Sequence, residues 1–363
     1  MKGSLNLGKV SGIKIKVHWT FLFIIIWVAF IEINQGGNLQ SVLFNIALIL
    51  VVFLCVVLHE LGHALTAQHY GVKTKQITLL PIGGIASLEK IPEEPKQELL
   101  VALAGPLVNV IIALILYFVV PVQQFLADNV ANIIENLNAL TLSNFLFYLF
   151  TVNVLLVIFN LIPAFPMDGG RVLRALLAMN MGRVKATQIA ASIGQSIAIV
   201  FLLLGMLFNP FLILIALFVF VGAYGENKMV QQIELLKGHT VEEAMLTNIT
   251  LLEPGETMAR VKDLILSGTE KDFIVGQNGR PLGILLNADI IKNSNKPDLV
   301  VGNVMKTSFK ELRINDKLKN VLSLVELHKG HFFPVLDANK RLVGAIDLTN
   351  INEFILFQSK LEY

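Results

Sequence analysis

Charge is what this sequence has least of. Only 15% of its 363 residues are Asp, Glu, Lys or Arg, against about 25% in an ordinary soluble domain. That is too few to coat a water-facing surface of this size, which excludes a wholly soluble protein, a disordered chain and a fibrous one. Cysteine is nearly absent. The single Cys55 excludes an intramolecular disulfide framework and a cysteine-based zinc site, and its apolar surroundings read as packing. Strong charge of one sign is missing too: the net charge of +2 is too balanced to imply a nucleic-acid partner. No small-x-small cleavage site follows the apolar run 17–31, where the chain reads Glu-Ile-Asn-Gln-Gly-Gly. That run is read as a helix that stays, not as a cleaved signal peptide. Apolar residues are abundant: 54% of the chain is hydrophobic and 23 residues are Phe. A bilayer is the solvent that accepts such a composition.

Composition changes abruptly near residue 226, from long apolar runs to interspersed charges and short alternating segments. We divide the chain into a membrane domain at 1–225, a linker at 226–235 and a soluble part at 236–363. Six runs approach the roughly 20 helical residues needed to cross hydrocarbon: 17–33, 42–66, 98–120, 141–162, 187–208 and 210–226, the last two split by Asn209-Pro210. With six crossings the connections alternate sides. One side holds the N-terminus, 67–97, 163–186 and the soluble part; the other holds 34–41, 121–140 and 209–210. Every Lys and Arg up to Lys228 falls on the first side, including Lys14, Lys16, Lys73, Lys90, Arg174 and Arg183. The positive-inside rule then predicts a multi-pass protein of the cell (inner) membrane with both termini cytosolic. Segment 76–90 is too short to span. Its β-prone stretches around Pro81 and Gly83-Gly84 predict a hairpin dipping into the membrane, buried in protein or lining a wet cavity.

The soluble part repeats itself. Ala-Met-Leu-Thr at 244–247 matches Val-Met-Lys-Thr at 304–307, and 273–284 matches 333–345, an offset of 60 drifting to 61. Each copy predicts an amphipathic helix, two short strands around a turn and another helix. Two copies would share one core.

The chemistry-bearing signal is His59-Glu60-Leu61-Gly62-His63. On a helix the two histidines stand at i and i+4 and project from one face, where a divalent metal can bridge them. Glu60 is placed to accept a proton from a water held by that metal. Ionisable residues at the end of an apolar helix are costly and mark function. A catalytic zinc site takes three protein ligands. The candidate third is Asp168, in Asn160-Leu-Ile-Pro163-Ala-Phe-Pro166-Met-Asp168-Gly169-Gly170-Arg171, after the fourth run and on the same side. The alternative reading of Asp168 is a helix cap. His18, at the start of the first run, is a second residue placed to approach the site, though such a histidine is more often an interfacial polar residue. His69, His239, His328 and His331 read as soluble or interfacial.

The two motifs, with Gly83-Gly84 and Ala104-Gly105-Pro106-Leu107-Val108-Asn109, resemble the site-2 protease family (peptidase family M50) of intramembrane zinc metalloproteases across residues 1–225. The repeat resembles a pair of cystathionine-β-synthase-type (CBS) domains, at 236–297 and 298–363. The resemblance implies an α-helical polytopic membrane domain plus a soluble α/β CBS pair. It implies one Zn²⁺ per chain on His59, His63 and Asp168, with Glu60 as general base. Asn160 would help hold the substrate carbonyl or oxyanion, and segment 79–88 with Gly83 and Gly84 would offer a strand edge to an unwound substrate helix. The substrate would be a membrane protein with a transmembrane helix, cut in regulated intramembrane proteolysis. CBS pairs bind adenosine nucleotides through a Gly-x-x-Thr/Ser-x-x-Asp ending. The first copy keeps Asp289 but has Leu286 in the hydroxyl place; the second has Asp347 there and Asn350 last. Nucleotide binding, with Asp289 as its best contact, and homodimerisation through the CBS pair are both implied. The competing readings are a CBS-gated membrane transporter or channel, and a zinc-binding membrane adaptor without catalysis.

Overall fold

Helices form where the long apolar runs lie. A computed structural model describes residues 3–72, 74–81, 83–88, 92–122, 140–327 and 332–361. Lys73, Lys90, His328, His331 and most of the expected 121–140 connection lie outside them. Two compact units result, Met1–Val230 and Gln231–Tyr363.

The helices that begin in the first unit are α1 (Phe21–Asn34), α2 (Leu39–His69), α3 (Pro95–Val119), α4 (Leu142–Leu161), α5 (Asp168–Met181), α6 (Arg183–Leu207) and α7 (Phe211–Leu235). Five of these, α2, α3, α4, α6 and α7, are long and apolar enough to cross a bilayer. Their outward faces carry side chains such as Phe118 and Leu207, exposed as lipid-facing residues are. Residues 226–235, expected as a linker, continue α7 to Leu235. The first expected span is shorter than its apolar run. Its helix begins only at Phe21 and has 14 residues, about 21 Å of rise, because the alternation Ile13-Lys14-Ile15-Lys16-Val17 commits the preceding segment to a strand.

That strand belongs to a four-stranded sheet of order β1-β2-β3-β4: β1 (Ser4–Val10), β2 (Ile13–His18), β3 (Thr74–Leu80) and β4 (Gly83–Leu88). The hairpin expected near 76–90 is β3–β4, with Leu79 opposite Gly84 and Leu80 opposite Gly83. β1 and β2 were not expected. Strands β2 and β3 pair in parallel, and Ile13, Ile77 and Leu79 pack on Val57, Leu61 and Ala64 of α2. The sheet therefore braces one side of the helix that carries His59 and His63.

In the second unit the two repeats fold as matching copies: β5 (Leu251–Leu252), α8 (Met258–Ser267), β6 (Phe273–Gln277), β7 (Arg280–Leu285) and α9 (Asn287–Lys292), then β8 (Leu312–Arg313), α10 (Leu318–Leu327), β9 (Phe333–Leu336), β10 (Leu342–Ile346) and α11 (Leu348–Leu361). The copies exchange backbone. Leu246 of the first bonds to Ala345 of the second, and Lys306 of the second bonds to Ile284 of the first. Gly283 and Gly344 permit the crossing: a Cβ on Gly344 would lie 2.4 Å from the Leu246 carbonyl, and one on Gly283 2.7 Å from the Met305 sulfur.

Candidate metal centre

The site is assembled from three helices. Helix α2 presents His59 and His63, both buried. Helix α3 approaches α2 closely, since a Cβ on Gly62 would fall 2.7 Å from the Ala104 carbonyl. The next contact is Gly105, where a Cβ would lie 2.1 Å from His63 Nε2 and 2.7 Å from His59 Nε2. Only glycine leaves room there for two imidazoles. Asp168 arrives at the first turn of α5. The preceding loop folds back over the helix start so tightly that a Cβ on Gly169 would meet the Ile162 carbonyl at 2.2 Å. The N-cap position is Met167 and makes no side-chain capping bond. The cap reading of Asp168 therefore fails, and its carboxylate turns to the histidines instead.

The distances suit a metal ion. Asp168 Oδ2 lies 3.2 Å from His59 Nε2 and 3.1 Å from His63 Nε2, and the two Nε2 atoms are 3.1 Å apart. A tetrahedral zinc with ligands at about 2.0–2.1 Å separates any two of them by about 3.3 Å. The outer nitrogens are already used: His63 Nδ1 donates to the Val101 carbonyl at 2.7 Å, and His59 Nδ1 to Asn109 Oδ1 at 2.5 Å. In neutral rings bonded this way both Nε2 atoms present lone pairs to a carboxylate oxygen, an arrangement that calls for a cation between them. His59, His63 and Asp168 form the one such group of His, Cys, Asp or Glu among the described residues. Glu60 lies between the histidines on α2, half-buried. Arg171 Nη1 stands 3.9 Å from the other oxygen of Asp168.

The other residues singled out in the sequence make contacts of their own. His18 bonds Thr20 Oγ1 at 2.8 Å at the start of α1, His69 meets the Tyr70 ring edge-on, and His239 pairs with Glu243. Asn160 sits half-buried in the last turn of α4, outside the hydrogen bonds that tie the cluster together. Asp289 faces Lys306 Nζ at 3.2 Å. Sequence reading assigned no role to Asn109, Asn153 or Gly105; amides within apolar helices were the available signal. The charge count places Arg174 among the membrane-proximal positive residues of one side. Arg174 is in fact fully buried, held between Glu98 of α3 and Glu226 of α7. Its guanidinium carbon is 4.9 Å from the Phe165 ring centroid, and Arg183 reaches the same Glu98 at 3.2 Å. These charges clamp the loop that delivers Asp168.

Comparison with known proteins identifies the family. The model of peptidase family M50 matches residues 47–205, and the CBS domain model matches 301–356. A zinc metalloprotease of Methanocaldococcus jannaschii is 39% identical over 286 residues, 78% of each chain. Stage IV sporulation protein FB of Bacillus subtilis is 31% identical over 175 residues, 48% of this chain and 51% of that one. Among solved structures, the site-2 protease from Methanocaldococcus jannaschii matches with 41% identity and a TM-score of 0.45, covering 62% of this chain and 95% of that one. With two thirds of a relative's length covered at this identity, the chain belongs to peptidase family M50 and is a membrane zinc metalloprotease of the site-2 protease type carrying a CBS domain.

Proposed function

We propose that the protein hydrolyses a peptide bond in or near a transmembrane segment of a membrane-protein substrate, as a step of regulated intramembrane proteolysis. The observation that carries this reading is the convergence of His59 Nε2, His63 Nε2 and Asp168 Oδ2 beside Glu60 within a bundle of membrane-length helices. His59, His63 and Asp168 are the zinc ligands. Zinc, when bound, supplies Lewis acidity toward water and the scissile carbonyl. Glu60 accepts the proton of the attacking water and passes it to the leaving amine nitrogen. The Asn160 amide supports the oxyanion. A helical substrate hides its carbonyls in i→i−4 bonds, so it must unwind. Strand β4 ends the sheet, and its open edge at Gly83 and Gly84 can pair with the extended segment and satisfy its freed backbone groups.

The domain division is part of the proposal: membrane protease at 1–225, connection at 226–235 and CBS copies at 236–297 and 298–363, with both termini cytosolic in the cell membrane. So are modulation of cleavage by the CBS pair and homodimerisation through it. An adenosine nucleotide would bind at the first copy, displacing Lys306 from Asp289. The second copy has turned its polar pair inward, because Asp347 and Asn350 each accept the other's backbone N–H at 3.0 Å.

The test is cleavage by purified protein in proteoliposomes with a single-span substrate, products being read by mass spectrometry. A cut within the span is expected, enhanced by a Gly or Pro there. Cuts confined to water-exposed regions remote from the span would overturn the reading.

A further inference from the structure

A chain of buried amides leads away from the metal centre. His59 Nδ1 meets Asn109 Oδ1 at 2.5 Å, Asn109 Nδ2 meets Asn153 Oδ1 at 2.7 Å, and Asn153 Nδ2 meets the Leu149 carbonyl at 2.8 Å. Asn153 Nδ2 also points at Cys55 Sγ, 3.6 Å away and one helical turn before His59. Asn109 and Asn153 are both 0% exposed, so protein atoms must meet the hydrogen-bonding demands of each amide.

The chain has a direction, and its far end sets it. The Leu149 backbone carbonyl can only accept, so Asn153 must turn Nδ2 toward it. Oδ1 of Asn153 then faces Asn109 and accepts from Nδ2. That leaves Asn109 Oδ1 facing His59, and an oxygen there requires the ring to carry its proton on Nδ1. The bare nitrogen is then Nε2, the one turned to Asp168 and His63. His63 needs no such relay, because its Nδ1 meets a backbone carbonyl directly.

We propose that Asn109 and Asn153 are positioning residues that hold His59 in its Nδ1–H tautomer, so that helices α3 and α4 decide which nitrogen α2 offers to the metal. The proposal rests on the metal-centre reading above. Asn109 acts by direct contact with the imidazole. Asn153 acts only by fixing which way the Asn109 amide points.

This division of labour makes a double-substitution cycle decisive. Full-length protein in detergent is loaded with zinc and titrated with a chelator of known affinity, and its thermal unfolding is followed with and without zinc. Asn109→Leu is expected to weaken zinc retention about 10–100-fold, the usual effect of losing a partner of a metal-bound histidine. Asn153→Leu is expected to weaken it about tenfold or less on the same basis. Asn109→Asp keeps an acceptor for Nδ1–H and should hold zinc better than Asn109→Leu, although its second oxygen then faces Asn153 Oδ1 in place of the donor. A carboxylate offers His59 an oxygen whichever way it turns, and Asn153→Leu removes the facing oxygen, so in the Asn109→Asp background it should cost no more than about twofold. The zinc-dependent rise in unfolding temperature should track the same order, which separates a weakened site from a weakened bundle. Equal losses from Asn153→Leu in both backgrounds, or no loss in the wild-type background, would overturn the relay. His59→Ala is the control arm: if it held zinc as tightly as wild type, the metal-centre reading would fall and the relay with it.

Discussion

At position 105 one methyl group is too much. A Cβ there would lie 2.1 Å from His63 Nε2, so Gly105→Ala should displace the imidazoles and abolish both zinc retention and cleavage. Gly225→Ala, where nothing lies within 4 Å of the added Cβ, should change neither; metal analysis of the two variants checks this. Glu60→Gln separates the proposed base from the ligands. It should keep about one zinc per chain while cleavage falls by about 10²-fold or more, read on the single-span substrate. Of these residues, His59, Glu60 and His63 were legible because i and i+4 spacing is local geometry. Asp168 was half-legible: its residue type suited both a cap and a ligand, and only the loop folded over α5 removed the cap. Asn109 was visible only as the end of a motif and Asn153 not at all, because what a buried amide bonds depends on which helix faces it.

Elements deliver the residues, and their clamps are internal charges. Arg174 on α5 is wholly buried between Glu98 and Glu226. Removing one partner of a buried ion pair leaves the other uncompensated, at about 3–5 kcal/mol. Arg174→Met should therefore lower the unfolding temperature sharply. Glu226→Gln should do so much less, because Glu226 is partly exposed and Glu98 still holds the guanidinium; thermal unfolding in detergent compares them. In the second unit, Gly344→Ala drives a Cβ to 2.4 Å from the backbone carbonyl of Leu246, whereas Gly283→Ala meets the movable Met305 side chain at 2.7 Å and the Lys306 carbonyl only at 3.0 Å. The first should destabilise the repeat pair by about 1–3 kcal/mol and the second by less, visible as faster limited proteolysis. The repeat was legible as a 60-residue self-match, but the exchange of Leu246 and Lys306 between copies was not, since no local pattern encodes a bridge to the other copy. The short α1 and the strands before it were misread for the opposite reason. A window that averages hydropathy over 17–33 passes over the period-two alternation just ahead of it.

At the scale of the whole molecule, the one-sided distribution of Lys and Arg predicts cytosolic termini. Protease added to sealed inverted vesicles should digest the 231–363 unit, and protease added to intact spheroplasts should spare it; the reverse pattern would overturn cytosolic termini. Arg174 and Arg183, being engaged with Glu98, contribute little to that bias, which rests on the exposed lysines of the N-terminus and connections. The sequence by itself determined the membrane class, the C-terminal repeat and the histidine pair, because composition, self-similarity and helical period are properties of residues near one another in the chain. Tertiary structure alone decided what completes the centre. Asp168 stands 109 residues from His59 and Asn153 stands 44 from Asn109. Contacts at that separation exist only once helices pack, when Gly62 and Gly105 let two backbones close on the imidazoles and a buried carbonyl sets the direction of the amides behind them.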